Sequence, residues 1–80
     1  GWDVTSIVYS TVVGARITVV LTDGVTEYKR KKHIGADGRA RVEFGSLPQG
    51  AYTCAVRRFE DTNGTELCRG RIAERDIVLP

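Results

Sequence analysis

From residue 15 to residue 57 apolar and polar side chains alternate almost one by one. Ala15, Ile17, Val19 and Leu21 share one parity, with Arg16, Thr18 and Thr22 on the other. Ala40, Val42 and Phe44 alternate with Arg39, Arg41 and Glu43, and Tyr52, Cys54 and Val56 with Thr53, Ala55 and Arg57. A period of two marks strands with one dry and one wet face, because successive strand side chains point to opposite sides of the sheet. No window places apolar residues at helical spacing over three turns, so almost no helix is predicted. Turn residues interrupt the pattern at Gly14, Asp23-Gly24, Asp37-Gly38, Pro48-Gln49-Gly50 and Asn63-Gly64. Asp-Gly and Asn-Gly favour tight hairpins, since both central residues of a type I′ turn need positive φ. Evenly spaced turns between β-branched runs predict an all-β, antiparallel two-sheet β-sandwich of about six or seven strands, Ig-like in layout, with residues 1–80 as one domain.

The same parity predicts registers. A two-residue turn at Asp23-Gly24 opposes Leu21 to Thr26, Val19 to Tyr28 and Ile17 to Arg30. Tyr28 then faces the core, and Glu27, Lys29 and Lys31 face outward. Continued, this parity turns Lys32 and Ile34 inward, whereas a tight turn at Asp37-Gly38 opposes the inward Val42 to His33. The two registers differ by one residue, so a bulge or break is expected near Lys32–Gly35. The first segment is two-faced: Trp2, Val4 and Val8 share one parity, Ile7 and Tyr9 the other. It reads as a strand that switches sheets or one covered on both sides. Leu67 to Leu79 reads as two short strands, or one long bent strand that closes the sheet.

Size limits what such a chain can bury. An 80-residue domain hides only about 60–65% of its unfolded surface, so its stability is modest. Cys54 and Cys68 are the only cysteines. Bridged, they would contribute about 3 kcal/mol by restricting the unfolded chain; the alternative is two buried thiols in a reducing compartment. The composition, 41% hydrophobic and 28% charged, is that of a globular protein, and no apolar run is long enough to span a bilayer. No charged-then-apolar leader is present, and methionine is absent throughout, position 1 included. These features set the expectation of a mature secreted chain or a domain excised from a longer protein. A net charge of +2 designates no particular partner, and nucleic-acid binding is not expected.

The stretch from Asp37-Gly38-Arg39 through Phe44-Gly45-Ser46-Leu47-Pro48-Gln49-Gly50-Ala51-Tyr52-Thr53 resembles a signature of small transthyretin-like β-sandwiches. These include the carboxypeptidase regulatory-like domain and the Cna-B repeats of bacterial surface proteins. Gly14-Ala15 opens the strand matching the family pattern, so the resemblance covers residues 14–57. In physical terms Asp37 and Gly38 make a turn, Phe44 and Leu47 close the end of the core, and Pro48 and Gly50 turn the chain. Tyr52 then opens the next inward face, with its hydroxyl directed to loop backbone. Ile34-Gly35-Ala36 stands where the family usually has a Thr-Asp pair. The isopeptide bond of many Cna-B modules is not expected, because no lysine precedes Lys29 and the only asparagine is Asn63, in a turn. Residues 47–58 are also similar to sandwich segments of siphophage tail-tip proteins. The fold implied by these resemblances serves many roles, so they carry little functional information.

Candidate chemistry is sparse. Lys29, Arg30, Lys31, Lys32 and His33 form the densest charge cluster, which is either a partner-binding segment or a lysine-protected strand edge. Arg39, Arg41, Arg57, Arg69 and Arg71 form either a basic stripe or a solvated face carrying cross-strand ion pairs. His33 is the sole histidine, with no nucleophile elbow and no second histidine to build a metal site, so no catalytic residue, metal or cofactor is expected. Asn63-Gly64-Thr65 is a glycosylation sequon if the chain is secreted by a eukaryote. The expected function is therefore a non-catalytic binding or spacer module of an extracellular, cell-surface or phage-tail protein, working through protein contacts. The alternative is a small free-standing secreted effector or inhibitor, binding a host target by a strand edge or its basic segment.

Overall fold

A computed structural model describes residues 1–80. The alternating stretches form strands β1 (Trp2–Tyr9), β2 (Arg16–Thr22), β3 (Glu27–His33), β4 (Arg39–Leu47), β5 (Gly50–Glu60) and β6 (Glu66–Leu79), and there is no helix. β1 pairs with β4 in one sheet, and the other has the order β3-β2-β5-β6. Every pairing is antiparallel. The chain is an all-β sandwich of six strands in two sheets.

The dry parity of each strand meets at the centre. Ala15, Ile17, Val19 and Leu21 of the β2 region pack with Ile34, Ala40, Val42, Phe44, Leu47, Tyr52 and Val56 in one buried cluster. Tyr52 is only 3% exposed, and its hydroxyl donates to the Pro48 carbonyl oxygen at 2.8 Å, which closes the Leu47–Gly50 corner. Burial raises the pKa of this phenol above its ordinary value.

The β2–β3 register differs from the sequence expectation by two residues. Leu21 opposes Tyr28, Val19 opposes Arg30 and Ile17 opposes Lys32. The Asp23 carboxylate accounts for the longer loop. Its Oδ1 accepts from the backbone N–H groups of Val25 at 2.9 Å and Thr26 at 2.7 Å, a local turn that competes with the two-residue hairpin. These bonds hold its pKa below the usual carboxylate range. A shift of two leaves each side chain on its expected face.

The break expected near Lys32–Gly35 takes a different form. The β2–β3 ladder runs without a bulge to Arg16 opposite His33, and Ile34 continues it by exchanging backbone bonds with Gly14 and Ala15 at 2.8 Å. The chain then leaves this sheet and β4 pairs with β1. The two predicted registers never needed to agree, because β3 and β4 lie in different sheets. Ile34 is buried, as its parity predicts, while Lys32 stays exposed at the strand end.

Gly38 sits in the turn that makes this crossing, at φ 77°, with its carbonyl oxygen accepting from Ser10 at 2.9 Å. An added Cβ would stand 3.1 Å from the Ser10 carbonyl oxygen. Left-handed backbone costs an L-residue about 1–2 kcal/mol. Gly38→Ala should therefore lower stability by about that amount in urea titration; an unchanged midpoint would exclude this turn geometry.

β1 neither switches sheets nor is covered on both sides. Val4, Ser6 and Val8 are half-buried against the core, while Thr5, Ile7 and Tyr9 are exposed on the outer face. A register shift between Val4 and Thr5 leaves Phe44 as the extra residue of β4, beside Gly45 at φ 77°. β6 is one 14-residue strand along β5, with one register irregularity at Leu67 and another over residues 70–72, where Gly70 takes a φ of 106°.

Candidate functional site

The sandwich is closed along one side and open along the other. On the closed side Arg30 reaches from β3 to β4: its guanidinium lies 5.5 Å from the Phe44 ring centroid, and its Nε donates to the Glu43 carbonyl oxygen at 3.3 Å. On the open side β1 and β6 are both edge strands, each paired on one flank only. Between them runs a cleft of about 710 Å³. Val4, Val8, Val19, Leu21, Val56 and Ile77 make it largely apolar. At one end the Trp2 indole N–H donates to the Pro80 carbonyl oxygen at 2.6 Å, tying the start of β1 to the end of β6.

Arg75 also lines this cleft. In β6 the residues opposing inward positions of β5 are Ala73 (Val56), Arg75 (Cys54) and Ile77 (Tyr52). Arg75 is thus the one charge on the inner parity of this segment, and no carboxylate lies within ion-pair distance of it. Its inward position was hidden in the sequence, where Ala73 to Asp76 reads as a charged interruption. The signal becomes legible only once Ile72 and Ile77 are seen to have opposite parities.

The five-residue basic segment splits by face. Lys29, Lys31 and His33 fall on the outer parity of β3, opposite Val20, Thr18 and Arg16. Arg30 and Lys32 fall on the inner parity, where Arg30 covers Phe44. The His33 Nδ1 lies 3.2 Å from the Gly14 carbonyl oxygen. Asp37 accepts from the backbone N–H of Arg39 at 3.1 Å, which lowers its pKa.

The expected arginine stripe is divided between the sheets. Arg39 and Arg41 lie on β4 and pair with Asp37 at 3.2 Å and Glu43 at 3.1 Å. Arg71 pairs with Glu74 at 3.3 Å, and Arg69 with Glu66, whose pKa this guanidinium holds below the usual carboxylate range. Arg57 alone of the five has no carboxylate partner.

The Cys54–Cys68 disulfide is corrected: both are free thiols. Cys54 opposes Arg75 and Cys68 opposes Phe59, five positions further along β5. At about 3.3 Å per residue this puts them roughly 16 Å apart, whereas bridged Cα atoms stand about 4.4–6.8 Å apart. The β5–β6 hairpin register, set by the Asp61–Thr65 turn, leaves Cys68 near the turn, well short of the position facing Cys54, which Arg75 takes. Cys54 instead points between the sheets, its Sγ 3.8 Å from the Ser6 hydroxyl.

No three His, Cys, Asp or Glu side chains gather as a metal-binding set, and no helix is long and apolar enough to cross a membrane. No known protein family, curated protein or solved structure matches the chain.

Proposed function

We propose that the chain is a non-catalytic binding module of an extracellular, cell-surface or phage-tail protein, and that it takes an extended segment of a protein partner into the cleft between β1 and β6. One observation carries this reading: an apolar cleft of about 710 Å³ flanked by two strand edges whose outer backbone groups have no partner strand. A strand edge offers main-chain donors and acceptors for affinity, and the alternate side chains of an added strand fill the adjoining surface. The chemistry of the cleft also specifies the occupant. Its apolar side chains would face inward, and a carboxylate would lie opposite Arg75, which pairs with no carboxylate of the chain; Glu74 and Asp76, which also line the cleft, are engaged by Arg71 and Thr53. The transthyretin-like resemblance of residues 37–53 supports the extracellular setting, in which such sandwiches serve as modules.

Selection of displayed peptides on the immobilised chain tests this. Enriched sequences should alternate apolar residues around an Asp or Glu. Arg75→Glu should weaken them at least tenfold, a change of about 1.4 kcal/mol. Placing Lys at the peptide's acidic position should restore binding to that variant. Arg75 is exposed, so the substitution leaves the core untouched. Peptides that bind Arg75→Glu and the parent equally would overturn the cleft as the site.

A further inference from the structure

The outer face of the four-stranded sheet, remote from the cleft, carries a second groove, of about 320 Å³. Of its nine lining residues only Val20 is apolar, and five are cations. Strand alternation and one irregularity bring them together. Lys29 and Lys31 project from β3 opposite Val20 and Thr18 of β2. On the other flank of β2, Thr18 opposes Arg58 but Val19 opposes Val56, so Arg57 is an extra, bulged residue of β5. A bulge bends the strand and re-aims its side chains, and here both Arg57 and Arg58 line the groove. Beyond them, Arg69 opposes Arg58, and Gly70 leaves the wall open with nothing within 4 Å of the place a Cβ would take.

Two observations separate this groove from an ordinary solvated basic face. The first is an imbalance of partners. Arg58 and Arg69 already share Glu60 and Glu66, whereas Lys29, Lys31 and Arg57 have no carboxylate within 4.0 Å. The second is the floor. Thr18 is 6% exposed, and its buried Oγ1 has no hydrogen-bond partner. The Arg57 Nε is likewise buried without one, whereas the Arg58 Nε faces the Glu60 carboxylate at 3.7 Å. Buried polar atoms are nearly always satisfied, and two unsatisfied donors around one groove call for an acceptor. Glu27 is the only carboxylate lining the groove, and it lies on the Lys29 side, away from Thr18. That directs an anion towards the space above Thr18, between Lys31 and Arg57.

We infer that this groove binds a tetrahedral oxyanion, a phosphate or sulfate group, with the Thr18 hydroxyl and the Arg57 guanidinium donating hydrogen bonds and Lys29 and Lys31 balancing its charge. Such a group presents several acceptor oxygens to donors converging from different strands, and charge-assisted bonds of this kind are the strong ones. The lining contains no aromatic ring on which a nucleobase would stack.

Titration of the ¹⁵N-labelled chain with inorganic phosphate, with inorganic sulfate, and with chloride at matched ionic strength tests the inference. Phosphate, sulfate or both should give saturable shifts centred on Thr18, Lys31, Arg57 and Gly70, and the stronger of the two identifies the source of the group. Chloride should give only weak, unsaturated shifts. Thr18→Val, close in shape, should weaken binding at least fivefold, as should Lys31→Gln; Lys32→Gln, one residue along but on the other parity, should not. Equal shifts with chloride, or equal losses at Lys31 and Lys32, would overturn the site and leave only a basic surface. So would a folded Thr18→Val chain that binds as well as the parent.

Discussion

Leu21→Ala is expected to cost about 3 kcal/mol, which is a large share of the stability of an 80-residue domain. Leu21 is fully buried in β2, a strand flanked on both sides by β3 and β5. It opposes Tyr28 and Cys54 across the two ladders, and both pack against the core. Truncation loses the transfer free energy of the removed methyl groups and leaves a void that the two ladders keep from collapsing. Leu21 also lies beneath the β1–β6 cleft, so part of the void can open into it, which places the cost in the middle of the usual range of about 2–5 kcal/mol rather than at its top. In urea the midpoint should fall steeply at constant m-value. Val25→Ala is the matched control: this side chain is 92% exposed and should change stability by less than about 0.5 kcal/mol. A loss below about 1 kcal/mol for Leu21→Ala would mean that the two sheets do not enclose this position.

How far the sequence discloses this molecule depends on the range of the interaction involved. Face assignment is local. The parity of Ile17, Val19 and Leu21, or of Ala40, Val42 and Phe44, identifies the core directly, and it does so even where the register is displaced, because the Asp23 turn shifts β3 by an even number of residues. Sheet membership is not local. Nothing between Lys32 and Gly38 states that β4 will cross to β1 rather than return along β3, and the apparent register conflict there is a sheet change seen in one dimension. The thiols fail as a pair for a related reason: their separation along the chain suits a bridge, but the Asp61–Thr65 turn fixes a hairpin register that does not bring them together. The two candidate surfaces are less legible still. Arg75 becomes an inward charge only when β6 is known as one long strand along β5. The oxyanion groove needs side chains from four strands and a bulge at Arg57, whereas the sequence drew the eye to five consecutive residues, 29–33, that the strand then divides between its faces.

Glu60→Gln should cost about 2–3 kcal/mol, although it removes no bulk. Glu60 closes β5 opposite Arg16, and its side chain is 3% exposed. The Arg16 Nε and Nη2 donate to its carboxylate at 2.9–3.1 Å, and the Arg58 Nε lies 3.7 Å away. Breaking a buried pair from one side strands the other charge, which typically costs about 3–5 kcal/mol. Arg16 is 40% exposed and recovers part of its hydration, so the cost falls at or somewhat below the bottom of that range. The amide keeps one acceptor oxygen but turns an N–H₂ group towards two guanidinium groups. The surface pair Arg41–Glu43, with both side chains more than two-thirds exposed, supplies the contrast: Glu43→Gln should cost less than about 0.5 kcal/mol. Arg16→Met combined with Glu60→Leu separates the charge from the packing. The two apolar side chains leave neither member of the pair stranded, and Arg58, 39% exposed, keeps Glu66 at 4.0 Å, so the double variant should recover most of what Glu60→Gln loses. Equal costs for Glu60→Gln and Glu43→Gln in the same urea titration would mean that water, not Arg16, completes the Glu60 carboxylate.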